Sequence, residues 1–171
     1  MKKILYLLLL PFVLLSCDNE GGESIVKSAS ADFYVEDNQG NDLLNPENEN
    51  AIDTTKIKVY YLINGKKVAA SEYYAPSNQN GAILTYSKGF FIYGEIIENP
   101  SKYAMRIFLN DTPKYGELAY TYIEWNEQDT DTIVSKITRK GNHYLTSRMV
   151  TFNGSVMDVE KDGSIYRVIV K

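Results

Sequence analysis

Apolar and polar residues alternate along most of this chain in short runs, and the runs are broken by clusters of Gly, Asn, Asp and Pro. A two-residue period sends successive side chains to opposite faces, so each run predicts a half-buried β-strand. The cleanest is residues 56–63, where Ile57, Val59, Tyr61 and Ile63 oppose Lys56, Lys58, Tyr60 and Leu62. Asn64-Gly65 follows it. That dipeptide accepts the positive φ of a type I′ turn, which predicts that residues 66–74 return as an antiparallel strand. In residues 117–125, Ala119, Thr121, Ile123 and Trp125 oppose Leu118, Tyr120, Tyr122 and Glu124. In residues 32–36, Phe33 and Val35 oppose Tyr34; Leu43 and Leu44 then form an apolar anchor, and residues 45–55 form a polar loop.

Further strands are predicted at residues 82–86, 89–97 (with Phe90, Ile92 and Ile96 on one face), 103–109, 131–138, 143–152, 156–159 and 165–170. Asn153-Gly154 supplies a second hairpin turn. No stretch beyond the first residues repeats every 3.6 positions, and 14 Tyr and 6 Phe among many Val, Ile and Thr favour strands. About nine or ten short strands without helices between them predict an all-β fold, an antiparallel β-sandwich of immunoglobulin-like or transthyretin-like outline. A small β-barrel is the second arrangement. Residues 31–171 form a single domain, its last predicted strand followed only by Lys171.

The start of the chain follows a different pattern. Lys2 and Lys3 precede residues 4–15, which are apolar but for Tyr6 and Pro11, and the run stops at Leu14-Leu15-Ser16-Cys17. Such a run is too short to span a bilayer core and has the charge and length of a secretory signal. Residues 17–30 are mostly Gly, Ser and acidic, which predicts a flexible tether. Without residues 1–16 the chain loses two lysines, leaving 16 basic against 22 acidic residues and a formal charge of −6. That balance argues against a nucleic-acid partner.

Leu14-Leu15-Ser16-Cys17 resembles the lipobox of bacterial lipoproteins. The resemblance implies that residues 1–16 are a lipoprotein signal peptide, that the thiol of Cys17, the chain's only Cys, takes a diacylglyceryl group, and that its new amine is acylated after the cut, with palmitate-type chains. Two or more chains hold a protein stably on a membrane. The acidic stretch Asp18-Asn19-Glu20 resembles the surface-export signal of Bacteroidota lipoproteins and implies outer-membrane, cell-surface display. Asp at this position also resembles a retention signal of enterobacterial sorting, so the periplasmic face is the alternative. Gly40-Asn41-Asp42-Leu43-Leu44, Glu124-Trp125-Asn126 and Asp129-Thr130-Asp131-Thr132-Ile133 resemble segments of small Bacteroidota lipoproteins of unknown function, a likeness that implies no activity.

Few residues point to chemistry. His143 is the only histidine, so a zinc site lacks ligands, and no Gly-x-Ser-x-Gly elbow accompanies it. Asp37, Asn41 and Asp42 crowd oxygen donors into one turn and are candidate Ca2+ ligands, although their spacing departs from the EF-hand loop. Without calcium the turn is Asx-rich and self-bonded, and no other cofactor is indicated. Glu124, Glu127, Asp129 and Asp131 beside Trp125 are carboxylates of the kind glycoside hydrolysis uses in pairs, but alternation puts Glu124 and Trp125 on opposite faces. Tyr60, Tyr73 and Tyr74 are candidate stacking residues for a ligand, on two strands that Asn64-Gly65 pairs. Thr54, in Asp53-Thr54-Thr55, and Thr132, in Asp131-Thr132-Ile133, fit the O-glycosylation sequon of exported Bacteroidota proteins.

The expectation is therefore a non-enzymatic, lipid-anchored surface module that binds a glycan, a peptide or a partner lipoprotein. A structural or assembly component using an exposed sheet edge is the alternative. A glycan-active enzyme at Glu124 to Asp131 is third.

Overall fold

The computed structural model describes residues 26–74, 87–94, 102–140, 144–156 and 166–171, with the backbone alone for residues 26–28, 74, 139–140, 144–148 and 166. Among these residues the alternating runs become eleven strands in two facing sheets, and the chain is an all-β sandwich without a closed barrel. The larger sheet orders β1(Val26–Ser28), β9(Tyr144–Phe152), β8(Thr130–Lys140), β7(Leu118–Glu124), β3(Lys58–Ile63) and β4(Lys66–Ala69), with β10(Ser155–Val156) paired to β9. The smaller sheet orders β11(Tyr166–Val170), β2(Ser30–Glu36), β6(Ala104–Phe108) and β5(Phe90–Tyr93). The strand expected at residues 82–86 and the outer parts of those expected at 89–97, 156–159 and 165–170 lie outside the described residues.

Faces follow the sequence period. Val59, Tyr61, Ile123 and Ile133 of the larger sheet are buried against Phe33, Val35, Met105 and Ile107 of the smaller one. Each such apolar side chain contributes about 1.5–3 kcal/mol on burial, whereas an exposed pair such as Lys56–Asp53 at 3.4 Å is screened by solvent and adds little. The core therefore carries the stability. Leu43 and Leu44 are buried with it, as expected of an anchor.

Both Asn-Gly turns have the positive φ pair of type I′: Asn64 50° and Gly65 76°, Asn153 49° and Gly154 79°. They set the registers Ile63↔Lys66 and Phe152↔Ser155.

Polar cross-links tie the sheets together at their facing surfaces. Tyr61, 0% exposed, donates its hydroxyl hydrogen to the Phe108 carbonyl 3.1 Å away in the other sheet. Asn110, 1% exposed, follows β6 and reaches back: its backbone N–H donates to Thr121 Oγ1 at 2.8 Å, and its Nδ2 donates to the Leu62 carbonyl at 3.0 Å. A buried amide left without partners costs about 1–3 kcal/mol, so these bonds fix how β6 leaves its sheet.

The structure corrects two expectations. Residues 66–74 do not stay extended: β4 ends at Ala69, and Ala70–Tyr74 form a helical turn, α1. Helical rise is about half that of a strand, and the turn draws Tyr73 onto Tyr61, edge to face at 5.5 Å. Val26–Ser28, expected within the tether, pair in parallel with β9 as β1. The sheets are antiparallel-rich as expected, and β11 beside β2 is a second parallel pairing, over Tyr166↔Asp32 to Val170↔Glu36.

Gly89 marks a close approach between layers, since a Cβ there would lie 2.6 Å from Ala70 Cβ and 2.9 Å from Val59 Cβ, at a φ of +80°. Gly65 has a similar φ of +76° and open space around it. Gly89→Ala is expected to lose about 3 kcal/mol through overpacking plus backbone strain, and Gly65→Ala about 1 kcal/mol from strain alone. Urea unfolding of both variants checks the difference, and equal losses would show that Gly89 does not lie against Ala70 and Val59 as described.

Candidate functional site

Alternation along β3 and β7 that buries Tyr61 and Ile123 turns Lys58, Tyr60, Tyr122 and Glu124 outward. Antiparallel register makes them neighbours, Lys58 opposite Glu124 and Tyr60 opposite Tyr122. Lys67, exposed on β4, sets its ammonium 4.5 Å from the Tyr122 ring centroid and 5.4 Å from that of Tyr60. Cation–π attraction of about 0.5–1 kcal/mol at such a site holds the amine over both rings. Beyond Glu124 the strip runs into a polar cleft of about 460 Å3, lined by Thr55, Lys56, Lys58, Glu124, Asn126, Glu127 and Gln128.

The cleft is shaped by its own side chains. Asn126 Oδ1 accepts the backbone N–H of Gln128 at 2.9 Å and of Asp129 at 3.1 Å, which folds the loop after β7. Lys58 Nζ donates to Glu124 Oε1 at 3.1 Å, and this bond and the carboxylate's charge push the Lys58 ammonium above its ordinary pKa. Two amides, two carboxylates and two ammonium groups thus sit beside a pair of aromatic rings. This combination can hydrogen-bond hydroxyls while stacking on an apolar ring face.

The expected stacking residues do not act together. Tyr60 lies on the outer strip, but Tyr73 packs inward from α1, with its hydroxyl donating to Asp111 Oδ1 at 3.0 Å. The side chain of Tyr74 lies outside the described residues. Tyr122, the true neighbour of Tyr60, comes from a strand far off in sequence, and only the register identifies it.

The acidic cluster separates in the same way. Glu124 and Glu127 line the cleft, whereas Asp131 is 4% exposed on the inner side of β8. Its Oδ2 accepts Trp125 Nε1–H at 2.6 Å and an N–H of Lys171 Nζ at 2.6 Å, while its Oδ1 accepts Asn153 Nδ2–H at 2.7 Å. Asp129 joins through Lys171 at 3.0 Å. Asp131 is thus filled by protein donors on the side away from the cleft.

Asp37 and Asp42 are likewise engaged by donors. Asp37 accepts backbone N–H bonds from Gln39 and Asn41, each at 2.9 Å, and a side-chain N–H of Asn41 at 2.7 Å. Asp42 accepts the Leu44 N–H at 2.9 Å and the Tyr103 N–H at 2.7 Å. These bonds give the turn a self-bonded Asx arrangement, with Asn41 Nδ2 donating to Asp37. Among the described residues no group of three or more His, Cys, Asp or Glu is gathered to hold a metal. Thr54 is half-buried in a turn capped by Asp53, which accepts the Thr55 N–H at 3.1 Å. Thr132 faces outward on β8, although the Asp131 of its sequon is buried. Cys17 and His143 lie outside the described residues.

No family model, no curated protein and no solved structure matches this chain.

Hydrogen bonds from Asn41 hold the Asp37 carboxyl below its ordinary pKa of 3.8. A depressed carboxylate contributes stability that is fully present above the unfolded value and is lost as pH falls through the folded one. The Asp37 side-chain NMR signal is expected to titrate below 3.8 and to move back toward it in Asn41→Ala. An unchanged midpoint in the variant would remove Asn41 as the cause.

Proposed function

We propose that this chain is a lipid-anchored, non-catalytic cell-surface module that binds glycan on the outer face of β3 and β7. The observation that carries the reading is the register pair Tyr60 and Tyr122, continuous with the polar cleft at Glu124 and Asn126. Sugars present an apolar ring face and a rim of hydroxyls, and two rings beside amides and carboxylates suit both. Lys67 is the side chain that a sugar ring displaces, and its exposed stem leaves it room to swing aside. Lys66 and Lys67 also charge the edge strand β4, which discourages strand addition there and weighs against assembly through that edge. Hydrolysis is disfavoured because Asp131 is turned away from the cleft and, of the two carboxylates that line it, Glu124 is paired with Lys58, leaving Glu127 alone.

Anchoring rests on Leu14-Leu15-Ser16-Cys17 after an apolar run. Surface display on the outer membrane rests on the acidic residues that follow Cys17.

Glycan-array binding is expected to select a restricted set of sugars, with Tyr60→Ala and Tyr122→Ala each weakening it about 5–10-fold, the loss of one stacking contact. Their thermal midpoints should change little, since one cross-strand pair is worth about 0.2–1 kcal/mol. Binding that survives both changes would eliminate this face. For the anchor, Cys17→Ala is expected to abolish palmitate labelling and to release the protein from the membrane fraction. Labelling that persisted in the variant would refute Cys17 as the lipid site.

A further inference from the structure

The Asp131 network sets a nucleophile and an electrophile on one buried carboxylate. Lys171 Nζ is hydrogen-bonded to Asp131 Oδ2 at 2.6 Å, and the side-chain amide of Asn153 to Asp131 Oδ1 at 2.7 Å. The Lys171 and Asp131 side chains are 15% and 5% exposed. Asn153 Oδ1 accepts the Thr132 backbone N–H at 2.8 Å, which polarises the amide carbonyl and is aimed where negative charge would develop on attack. Trp125 closes the site, with its ring centroid 5.0 Å from Lys171 Nζ and its Nε1–H on Asp131. Asp129 also faces Lys171, at 3.0 Å.

We propose that Lys171 and Asn153 form an intramolecular isopeptide bond, with Asp131 as the proton-transfer catalyst. Lys171 passes a proton along its existing hydrogen bond to Asp131, which converts the ammonium to a nucleophilic amine and neutralises two buried charges together. The amine attacks Asn153 Cγ. The tetrahedral oxyanion is held by the Thr132 N–H, and the Cγ–Nδ2 bond breaks as Asp131 returns its proton to Nδ2; the carboxylate then takes the second proton from the new amide nitrogen and passes it to the departing ammonia. Two protons leave Lys171 and two reach the departing group, so an ammonium plus an amide gives a secondary amide plus ammonium ion. No oxidant or co-reactant enters. Asn153 lies on an exposed turn, which gives the released ammonia a path to water.

Positioning favours the reaction. Well-oriented neighbours gain about 7–11 kcal/mol of the barrier over free reactants, provided the reacting atoms come within about 3–3.5 Å. The flexible stem of Lys171 lets Nζ swing from one carboxylate oxygen toward the carbon held on the other. The product ties the β9–β10 turn of one sheet to the residue after β11 of the other.

Peptide mass spectrometry of the full chain, extracted from membranes in detergent, tests the bond. Trypsin cutting after Arg148, Lys161 and Arg167 releases residues 149–161 and a peptide that begins at Val168. The expected result is one branched peptide lighter than their sum by a single ammonia. Asn153→Gly, which tolerates the positive φ of this turn, and Lys171→Arg, which keeps the cation, should both yield only separate peptides. Asp131→Asn should reduce the branched fraction at least tenfold. Separate full-mass peptides from the wild-type protein would overturn the proposal, as would a branched peptide that persists in Asn153→Gly. An undiminished fraction in Asp131→Asn would overturn the role of Asp131.

Discussion

A carboxylate removed from water must find donors in the protein or lose its charge, and Asp131 imposes that constraint on the structure. Desolvating such a group costs several kcal/mol, recovered only with good geometry on both oxygens. Asp131 obtains it from three directions: Trp125 just past the adjoining strand, Asn153 at the next hairpin, and Lys171 beyond the last strand of the other sheet. Each donor fixes a different part of the fold. Trp125 fixes the end of β7, Asn153 orients a type I′ turn that its φ of 49° already favours, and Lys171 holds the end of β11 against the larger sheet. The bidentate Asp32–Arg106 pair, at 2.7 and 2.8 Å, is the counterpart on the outer face of the smaller sheet. There Arg106 stays partly exposed, and the electrostatic demand is milder.

Much of the fold was legible because face is a local property. In β3, β7 and β2 the two-residue period alone separates Val59, Tyr61, Ile123, Phe33 and Val35 from their outward neighbours, and the structure buries that set. Both Asn-Gly turns were readable for the same reason, since the positive φ they require is a preference of the residues themselves. Partner choice is not local. Nothing around Tyr60 names Tyr122 rather than Tyr73 as its neighbour, and nothing around Asp131 names Lys171. Both relations arise from strand order. The parallel pairings of β1 with β9 and β11 with β2 were hidden likewise, because a strand's pattern does not state its direction relative to a distant one. The helical turn α1 escaped because five residues are too few to display a 3.6-residue period. Asn110 lies just past the strand expected at residues 103–109, and only its burial and bonds reveal a bridge between layers.

The acidic residues after Trp125 show how one pattern can serve two ends. Alternation across the strand ends sends Glu124 to the outer surface and Asp131 to the inner one, although they are close in sequence. The outward carboxylate contributes to a solvated cleft with Asn126 and Gln128, where its pair with Lys58 is weak and exchangeable. The inward carboxylate is held by three donors and organises structure. A reading that groups these residues by proximity in sequence merges two sites with opposite requirements, one needing access to solvent and the other needing its exclusion.

The two sites share the same strands, and this bears on how the outer face works. Tyr122 and Trp125 belong to one short segment, and Thr132, opposite Tyr122, follows Asp131 directly. Whatever holds Trp125, Asp131 and Asn153 in place therefore also holds the backbone beneath the Tyr60 and Tyr122 rings. A surface that recognises a ligand by stacking gains affinity when its rings are already fixed, because immobilising a side chain or strand on binding costs about 0.5–1.5 kcal/mol for each group ordered. The inner network spends its interactions in the unliganded protein, and the outer strip inherits the resulting rigidity. Lys67 is the exception, an exposed side chain held over the rings by a weak attraction and so the one part of the strip able to move aside at little cost.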